Sequence, residues 1–273
     1  MPYKIGDIAK ILGISPDLMR YYEKKGIVKP TKDKFTDYRY YDSWDVNFLI
    51  ECLWFKKFGF GMKEISQIVS QYSYDTLQET LDKKCGEIQE EIEREKSLLE
   101  CLERHKRVLE DSKSRLGQCD IQDSPEIVLY LNRYNFTYDE SPDVQKMDQQ
   151  WVAYLPYIRR CFDISQEDLN SGGTNYAWGF YMDMDYARRY RVKIEPPAFH
   201  LPSRRSVHSV FRKEGKNNFS PKLLGYMVEY ARQQGLRICG GAHGSLLCSV
   251  RENGEMTGYF EAWIPVENAD LMP

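Results

Sequence analysis

Residues 15–26 read SPDLMRYYEKKG, and this stretch carries the strongest structural signal in the chain. Ser15 is a favourable N-cap residue, and Pro16 suits the first helical position because its fixed φ matches that of a helix. Just upstream, residues 3–12 (YKIGDIAKIL) have the spacing of a short amphipathic helix that ends at Gly13. Two short helices joined by a tight glycine-containing turn predict a helix-turn-helix, whose second helix can enter a major groove.

Basic residues are concentrated at and after the second helix. Residues 20–39 contain seven Lys or Arg and three Asp or Glu side chains, a local net charge of +4, with tyrosines among and just after them. Lys and Arg neutralise phosphates, and tyrosine hydroxyls hydrogen-bond to them. Charge alone favours a solvated basic face with the tyrosines in the core, and not a DNA-binding surface. The assignment to DNA therefore depends on the motifs around this stretch.

Five motifs follow one another in order along residues 3–70. They are YKIGDIA (3–9), LMRYYE (18–23), GIVKP (26–30), DYRYY (37–41) and GFGMKEI (59–65). Together they resemble the winged-helix DNA-binding domain of the MerR family of transcription regulators. One position departs from the family pattern, because the wing turn, usually glycine, is Asp37. Aspartate tolerates left-handed backbone better than most residues, so we expect the turn to be kept.

The resemblance implies a DNA-binding surface made by the second helix and the wing. Arg20 and Tyr21 stand at the family's recognition-helix positions, and Tyr38 and Arg39 stand at its wing positions. The predicted DNA-binding residues are Lys4, Ser15, Asp17, Arg20, Tyr21, Tyr38 and Arg39. The resemblance also implies a homodimer on a pseudo-palindromic promoter, acting with RNA polymerase. Binding of a small-molecule effector would then favour a state that bends and untwists the DNA.

Residues 76–118 have the composition of one long helix. They contain no aromatic residue and no proline, and 20 of the 43 are charged. One heptad row is Leu81, Ile88, Glu95, Leu102, Leu109 and Leu116, and its companion is Cys85, Ile92, Leu99, Lys106 and Lys113. Two such rows form a coiled-coil seam, which needs a partner helix. We expect a second copy of the chain, antiparallel as in the family, although an intrachain hairpin turning at Gly86 is the alternative.

Residues 119–273 number 155, enough for a separate α+β domain. We predict strands within 127–138, 175–183 and 206–213, helices over 143–162 and 220–234, and a hairpin of strands 246–251 and 257–266. This order, with the closing run YFEAWIPV (259–266), resembles the GyrI-like effector-binding domain of multidrug-responsive MerR regulators. Such domains bind small, often apolar and cationic molecules between their two halves.

Alternation on the last strand places Tyr259, Glu261 and Trp263 on one face. A carboxylate between aromatic rings is costly to bury alone, and a lipophilic cation would supply charge pairing and cation–π contact. The alternative is that Glu261 faces solvent or pairs with an arginine. The predicted ligand-binding residues are Tyr130, Trp178, Tyr226, Tyr259, Glu261 and Trp263. For Trp178 ordinary core packing is the favoured alternative, and Tyr226 fits core or pocket wall equally.

The overall composition and the spacing of cysteines and histidines exclude several classes of protein. The chain has 273 residues, 42% hydrophobic and 29% charged, with a net charge of −3, which excludes a disordered chain. Neither a membrane-span run nor a signal-peptide h-region is present, so we expect a cytoplasmic protein. Seven cysteines without a C-x-x-C and four dispersed histidines give no metal-ligand spacing, so we expect no cofactor and no metal. GGAHGS (240–245) lacks the nucleophile-elbow and P-loop patterns, and we predict no catalytic residue.

The sequence therefore predicts a multidomain α and α+β protein. Its predicted domains are a winged helix-turn-helix (1–75), an antiparallel coiled-coil dimerisation helix (76–118) and an α+β effector-binding domain with two strand-helix-strand halves (119–273). The predicted function is that of a ligand-responsive, DNA-binding transcription regulator, an activator rather than an enzyme. Two alternatives remain: a ligand-sequestering or ligand-modifying protein, and a thiol- or metal-sensing regulator using Cys85 and Cys119.

Overall fold

The computed structural model describes residues 3–33, 35–36, 38–215, 219–252 and 254–268, which divide into two units, 1–95 and 96–273. Asp37 of the predicted wing turn and Asn253 of the predicted hairpin turn lie outside the described residues. No helix of the described part combines the length and the apolar character needed to cross a membrane.

The first unit contains short strands and helices that follow one another closely. They are β1 (Tyr3–Lys4), α1 (Ile5–Leu12), α2 (Pro16–Lys24), β2 (Thr31–Lys32), β3 (Arg39–Tyr41), α3 (Ser43–Lys57), α4 (Met62–Gln71) and the start of α5 (Tyr74–Ser114). The strands form a small antiparallel sheet in the order β1-β3-β2. The helix predicted from residue 3 begins at Ile5, because Tyr3 and Lys4 pair with Tyr41 and Tyr40 of β3.

The predicted helix-turn-helix is present as α1, a tight turn and α2. Gly13 ends α1 in the left-handed region at φ 65°, where a side chain would be strained. Ser15 caps α2 by accepting a hydrogen bond from the Leu18 amide at 3.2 Å. Ile8 of α1 and Met19 of α2 are completely buried in one core. The apolar face of each helix therefore points inward and leaves the polar face of α2 in solvent.

The long helix predicted over 76–118 is confirmed as α5, which spans 41 residues from Tyr74 to Ser114. Its end is marked by Gly117, which has a φ of 74°. Four apolar side chains of the predicted seam are exposed: Ile88 by 36%, Ile92 by 42%, Leu99 by 56% and Leu102 by 65%. Among the residues that the structure describes, these four apolar side chains therefore remain substantially exposed to solvent.

The second unit is built on an antiparallel sheet flanked by short helices, an α+β arrangement as predicted. Its strands are β4 (Cys119–Asp123), β5 (Ile127–Tyr134), β6 (Thr137–Tyr138), β7 (Ile158–Ile164), β8 (Ala177–Asp183), β9 (Phe199–Leu201), β10 (Arg205–Glu214), β11 (Leu236–Ile238), β12 (Ala242–Glu252) and β13 (Glu255–Asn268). Its helices are α6 (Pro142–Val152), α7 (Gln166–Ser171), α8 (Met184–Arg189) and α9 (Gly225–Gln233), besides the end of α5 and a 3-10 turn at Pro221–Leu224.

The strand order is β4-β10-β13-β12-β7-β8-β5-β6, with β11 beside β13 and β9 beside β5. Helix α9 covers one part of a sheet face, where Met227 packs in a core with Trp178 and Phe260. Helix α6 covers another part, where Trp151 packs in a core with Tyr130. Because side chains alternate along strands, residues next to Phe260 and Tyr130, such as Glu261 and Leu129, lie on the opposite face.

The helix predicted over 143–162 is wrong in its second half. Helix α6 ends at Val152, and residues 158–164 form strand β7 in the interior of the sheet. Pro156 lacks the amide that a continuing helix would need, and the chain turns there. Ile158, Phe162 and Ile164 are then buried by the sheet, so tertiary burial outweighs the local helical pattern.

The second predicted helix, over 220–234, is shorter than expected. Residues 221–224 form a 3-10 turn, and the α-helix begins only at Gly225. Ser220 makes no capping hydrogen bond with its side chain. The strand predicted from Leu246 begins earlier, at Ala242.

Candidate functional site

The first candidate site is the solvent-facing side of α2. Arg20 lies there with its guanidinium 2.7 Å from the carboxylate of Asp17, and both side chains are exposed. Tyr21 is partly buried, with the ammonium of Lys25 5.6 Å from its ring centre. An exposed i,i+3 pair of this kind is weak in water, so Arg20 can exchange Asp17 for another anion at little cost.

Strand β3 is attached to α2 through Glu23. The Glu23 carboxylate forms a salt bridge with Arg39, at 3.0 Å from its Nε, and accepts a hydrogen bond from the Tyr41 hydroxyl. Tyr41 is fully buried, and this burial, with the bond to Glu23, raises its pKa. Arg39 stays partly exposed, so the contact orients a cation beside α2 rather than removing it from solvent.

Lys4 and Tyr38 lie close to the same strand. The Lys4 ammonium is 5.8 Å from the centre of the Tyr38 ring, and Tyr38 is exposed. The turn before Tyr38 is held by Asp33, which accepts hydrogen bonds from the Phe35 and Thr36 amides at 2.9 Å each. These bonds lower the pKa of Asp33. The structure thus brings the seven predicted DNA-binding residues onto α2 and the small sheet packed with it.

The second candidate site surrounds Glu261 on β13. Its carboxylate accepts a hydrogen bond from the Ser245 hydroxyl of β12 at 2.6 Å. Burial raises the pKa of Glu261 above its ordinary value, partly offset by that bond and by the nearby charges of His208 and Arg159. Tyr181 on β8 is also buried here, and burial together with the Glu261 charge raises its pKa. A buried carboxylate with one hydroxyl donor retains a strong demand for positive charge.

Trp263, two residues along β13, forms the next part of this site. Its ring centre is 4.1 Å from that of His208 on β10, and His208 Nδ1 lies 3.1 Å from an Asp120 carboxylate oxygen. On β12, burial and the charge of Arg204 lower the pKa of His243 to about 4. His243 Nε2 has no hydrogen-bond partner among the described residues.

The cavity at this site is small. Its volume is about 10 Å³, roughly the space of one water molecule. It is lined by Pro125, Ile127, Leu129, Cys161, Tyr181, His243, Gly244, Ser245, Glu261 and Trp263. A drug-sized molecule would therefore enter only if the surrounding side chains or strands move apart.

The other predicted ligand-binding residues are not at this cavity. Tyr130 is buried beneath α6 and donates a hydrogen bond to Asp148 at 2.6 Å. Trp178 lies in the core beneath α9, whereas Tyr226 belongs to α9 and packs against that core, with its hydroxyl donating to Ser209 at 2.8 Å. Tyr259 shares the strand face of Glu261 but bonds to Glu252 near the hairpin end. The structure therefore groups two of the six, Glu261 and Trp263.

Three residues of this site were not predicted: Tyr181, Ser245 and His208. Each comes from a different strand; Tyr181 and His208 fall in stretches predicted as strands, whereas Ser245 precedes the strand predicted from Leu246. Alternation along 175–183 places Tyr181 on the strand face opposite to Trp178 and Phe180. This was the sequence signal that could have pointed to Tyr181. It could not indicate which face of that strand looks toward Glu261, because strand neighbours are set by tertiary pairing.

The cysteines named for thiol or metal sensing are far apart in sequence and differ in environment. Cys85 is exposed on α5, and Cys119 is partly buried on β4. Burial raises the pKa of Cys119, which lowers its thiolate fraction. Within the part of the chain that the structure describes, no three His, Cys, Asp or Glu side chains are grouped to hold a metal ion.

Comparison with known proteins gives matches of two kinds. A family model described as MerR HTH family regulatory protein matches residues 3–72. The HTH-type transcriptional regulator CueR of Escherichia coli O6:H1 is 32% identical over 100 residues, which cover 34% of this chain and 73% of the relative. The HTH-type transcriptional activator mta of Bacillus subtilis is 28% identical over 75 residues, covering 28% of this chain and 29% of the relative.

Among solved structures, the chain is similar to a cryo-EM structure of an EcmrR–DNA complex in EcmrR-RPo. The identity is 17%, with 98% of this chain and 100% of that chain covered, and the TM-score is 0.39. The sequence matches thus concentrate on the first third of the chain, where the helix-turn-helix lies.

Proposed function

The chain belongs to the MerR family of helix-turn-helix transcriptional regulators, and from this premise we propose that it is a ligand-responsive activator. It binds promoter DNA in the cytoplasm as a homodimer, alongside RNA polymerase. Its domains are a winged helix-turn-helix over 1–75, a coiled-coil dimerisation helix over 76–118 and an effector-binding domain over 119–273.

One observation carries the DNA-binding part of this proposal. Arg20 on α2 and Arg39 on β3 are exposed cations on adjoining elements, and Glu23 attaches those elements to each other. Solvent-exposed arginines in weak salt bridges can bind phosphates at a low desolvation cost. When they neutralise phosphates, counterions condensed on the DNA are released, and this release favours binding. Ser15 and Asp17 lie in the first turn of α2, the part of a recognition helix that faces base edges.

The exposed stripe on α5 supports dimerisation. Ile88, Ile92, Leu99 and Leu102 are separated by steps of four, seven and three residues, so they share one side of the helix. A contiguous apolar stripe on a polar helix is stabilised when a second helix covers it. A second copy in antiparallel orientation places two recognition helices at opposite ends, which suits a pseudo-palindromic promoter.

Glu261 supports the effector part. Its burial beside Trp263 and Tyr181 provides a carboxylate and aromatic rings, the combination that recognises a lipophilic cation. Because a space of about 10 Å³ does not admit a drug-sized cation, the cation binds a form in which the cavity is wider. Binding energy is then spent on shifting the protein toward that form, which is how an effector changes the population of DNA-bound states.

The DNA-binding proposal is tested by measuring promoter affinity of the full chain with Arg20→Ala. We expect promoter affinity to fall roughly tenfold or more. The slope of log affinity against log salt concentration should decrease by about the contribution of one phosphate contact. Arg232→Ala is the matched control, since Arg232 also pairs with an acid three residues upstream, Glu229, at 2.6 Å. Equal affinity of the Arg20 and Arg232 variants would contradict the proposed recognition helix.

Dimerisation is tested by sedimentation of Leu99→Glu combined with Leu102→Glu. We expect a monomer at concentrations where the unsubstituted chain is a dimer, because four charges would enter one seam. Arg107→Glu adds the same charge at an exposed polar position of α5 and should leave the dimer intact. A dimer in the double variant would mean that another surface joins the copies.

A further inference from the structure

A second cavity of the effector domain differs from the Glu261 cavity in size and in charge. Its volume is about 370 Å³, within the range of small-molecule sites. Trp178 and Phe260, both on the sheet face that α9 covers, form part of its wall. The aromatic lining residues are Phe136, Tyr176, Trp178, Phe219 and Phe260. The cavity therefore has the space and the flat apolar walls that accommodate an aromatic ring.

Positive charge is concentrated around this cavity. Arg133 and Lys213 line it, and no Asp or Glu is among the described residues that do so. The guanidinium carbons of Arg133 and Arg160 lie 5.4 and 5.9 Å from the Trp178 ring centre. Neither arginine has a carboxylate partner within the described ranges. Burial lowers the pKa of Arg160, and the nearby charge of Arg133 lowers it further. Such a cluster of cations favours an anion.

The polar atoms of the two lining cations are incompletely satisfied. Arg133 Nε is buried and has no hydrogen-bond partner in the part of the chain that the structure describes. The Lys213 ammonium donates to the Gly215 carbonyl at 2.5 Å, which satisfies one of its three donors. Cation–π contact with Trp178 uses the face of the guanidinium and leaves its edge free for a planar acceptor.

We infer that this cavity binds an aromatic carboxylate, whose ring lies among the aromatic side chains and whose carboxylate pairs with Arg133 and Lys213. The carboxylate supplies the acceptor that Arg133 Nε lacks and balances the local charge. The aromatic walls select a flat ring, and the two cations select a negative charge, so the combination favours a ligand that has both. This site is separate from the one proposed for the cationic effector, because Glu261 lies on the opposite sheet face.

The test is calorimetric titration of the full chain with 2-naphthoate, compared with 2-naphthamide, a neutral molecule of the same shape. We expect the amide to bind at least tenfold more weakly. Arg133→Gln should weaken naphthoate binding at least tenfold, and Lys213→Gln should weaken it by a smaller factor. Glu261→Gln should leave it unchanged. Arg212→Gln is the matched control, because Arg212 neighbours Lys213, is exposed and does not line the cavity.

Three results would overturn the inference: no naphthoate binding at millimolar concentration, equal binding of the amide, or equal binding by the Arg133 and Arg212 variants. If Arg133→Gln fails to fold by circular dichroism, Lys213→Glu replaces it, and unchanged naphthoate binding there overturns the inference. Loss of naphthoate binding in Glu261→Gln would also overturn it, by placing the ligand at the other cavity. The readout is binding alone, so failure here is distinguishable from failure of the DNA-binding proposal.

Discussion

The α2 surface and the Glu261 cavity are assembled in opposite ways. The residues of the first lie within residues 4–39 and are mostly exposed, with their geometry set by a cap, a short turn and one carboxylate, Glu23. The residues of the second come from three neighbouring strands and from β8, and they are largely buried. A surface for a polyanion needs exposed charge, whereas a selective small-molecule site needs charge removed from water.

The difference has an energetic consequence. Arg20 can change partners in solvent at little cost, so the α2 surface is ready to bind without rearrangement. Glu261 is held by Ser245 in a space of about 10 Å³, so its site must open first. Five substitutions and one pH titration distinguish local from assembled geometry, beginning with the largest expected effect.

Gly179→Ala should damage the assembled site and spare the local one. A Cβ at this position would lie 1.8 Å from the Tyr130 carbonyl oxygen of the adjoining strand, so β5 and β8 would have to separate. We expect a loss of about 3 kcal/mol in the unfolding free energy of the second unit. Hydrogen exchange should accelerate in 177–183 but not in 5–24.

Gly225→Ala is the control for this effect. Gly225 begins α9, and a Cβ there meets no atom within 4 Å. Alanine should be neutral or stabilise by up to about 1 kcal/mol, since it lowers the entropy lost on helix formation. Accelerated exchange in both variants would mean that the close approach of β5 and β8 is not the cause.

Glu261→Gln should show how much of cation binding at the Glu261 cavity depends on the carboxylate charge and how much on the shape of the site. We expect roughly tenfold weaker binding of a permanently charged aromatic cation, about 1.4 kcal/mol, because glutamine keeps the side-chain length and removes the charge. The measurement is quenching of tryptophan fluorescence by tetraphenylphosphonium. Similar quenching of both proteins would contradict charge pairing at Glu261.

Acidification should imitate that substitution to a smaller degree. Burial raises the pKa of Glu261, so the carboxylate gains its proton at a higher pH than an exposed glutamate does. Cation affinity should therefore fall as the pH is lowered, and the fall should begin at a higher pH than an exposed glutamate would give, while Glu261→Gln removes the part of this dependence that comes from the carboxylate. The side chains of His208, Arg159 and Asp183 also act on the Glu261 carboxylate, so the glutamine variant is the reference for any pH dependence that does not come from this carboxylate. Identical pH profiles would exclude Glu261 as the titrating group.

Ser15→Ala should affect only the local surface, by about 1 kcal/mol, because the Leu18 amide loses its capping acceptor. Hydrogen exchange at the start of α2 measures this loss. Ser15→Asp keeps a capping oxygen and adds a negative charge where DNA is proposed to bind. We expect the aspartate variant to retain stability and lose promoter affinity. Equal promoter affinity in Ser15→Asp would place Ser15 away from the DNA.

Local sequence was sufficient for the first unit. The cap at Ser15, the turn at Gly13 and the long charged helix were predicted within a few residues, because short-range hydrogen bonds and periodic burial determine them. In the second unit, alternation correctly placed Glu261 and Trp263 on one face. It failed at 153–162, where burial in the sheet outweighed helical character.

By itself, then, the sequence determined the helix-turn-helix, the long helix and the shared face of Glu261 and Trp263, since each depends on spacing within one element. Only the tertiary structure decided that Ser245, Tyr181 and His208 lie near Glu261, and that Tyr130, Trp178 and Tyr226 contribute to the helix-covered cores instead. Strand pairing joins residues up to 90 positions apart, as for Ser209 and Cys119, and alternation along a strand fixes which residues share a face but not which strand lies next to it. The cluster of Arg133, Arg160 and Lys213 around one aromatic cavity follows from the same pairing.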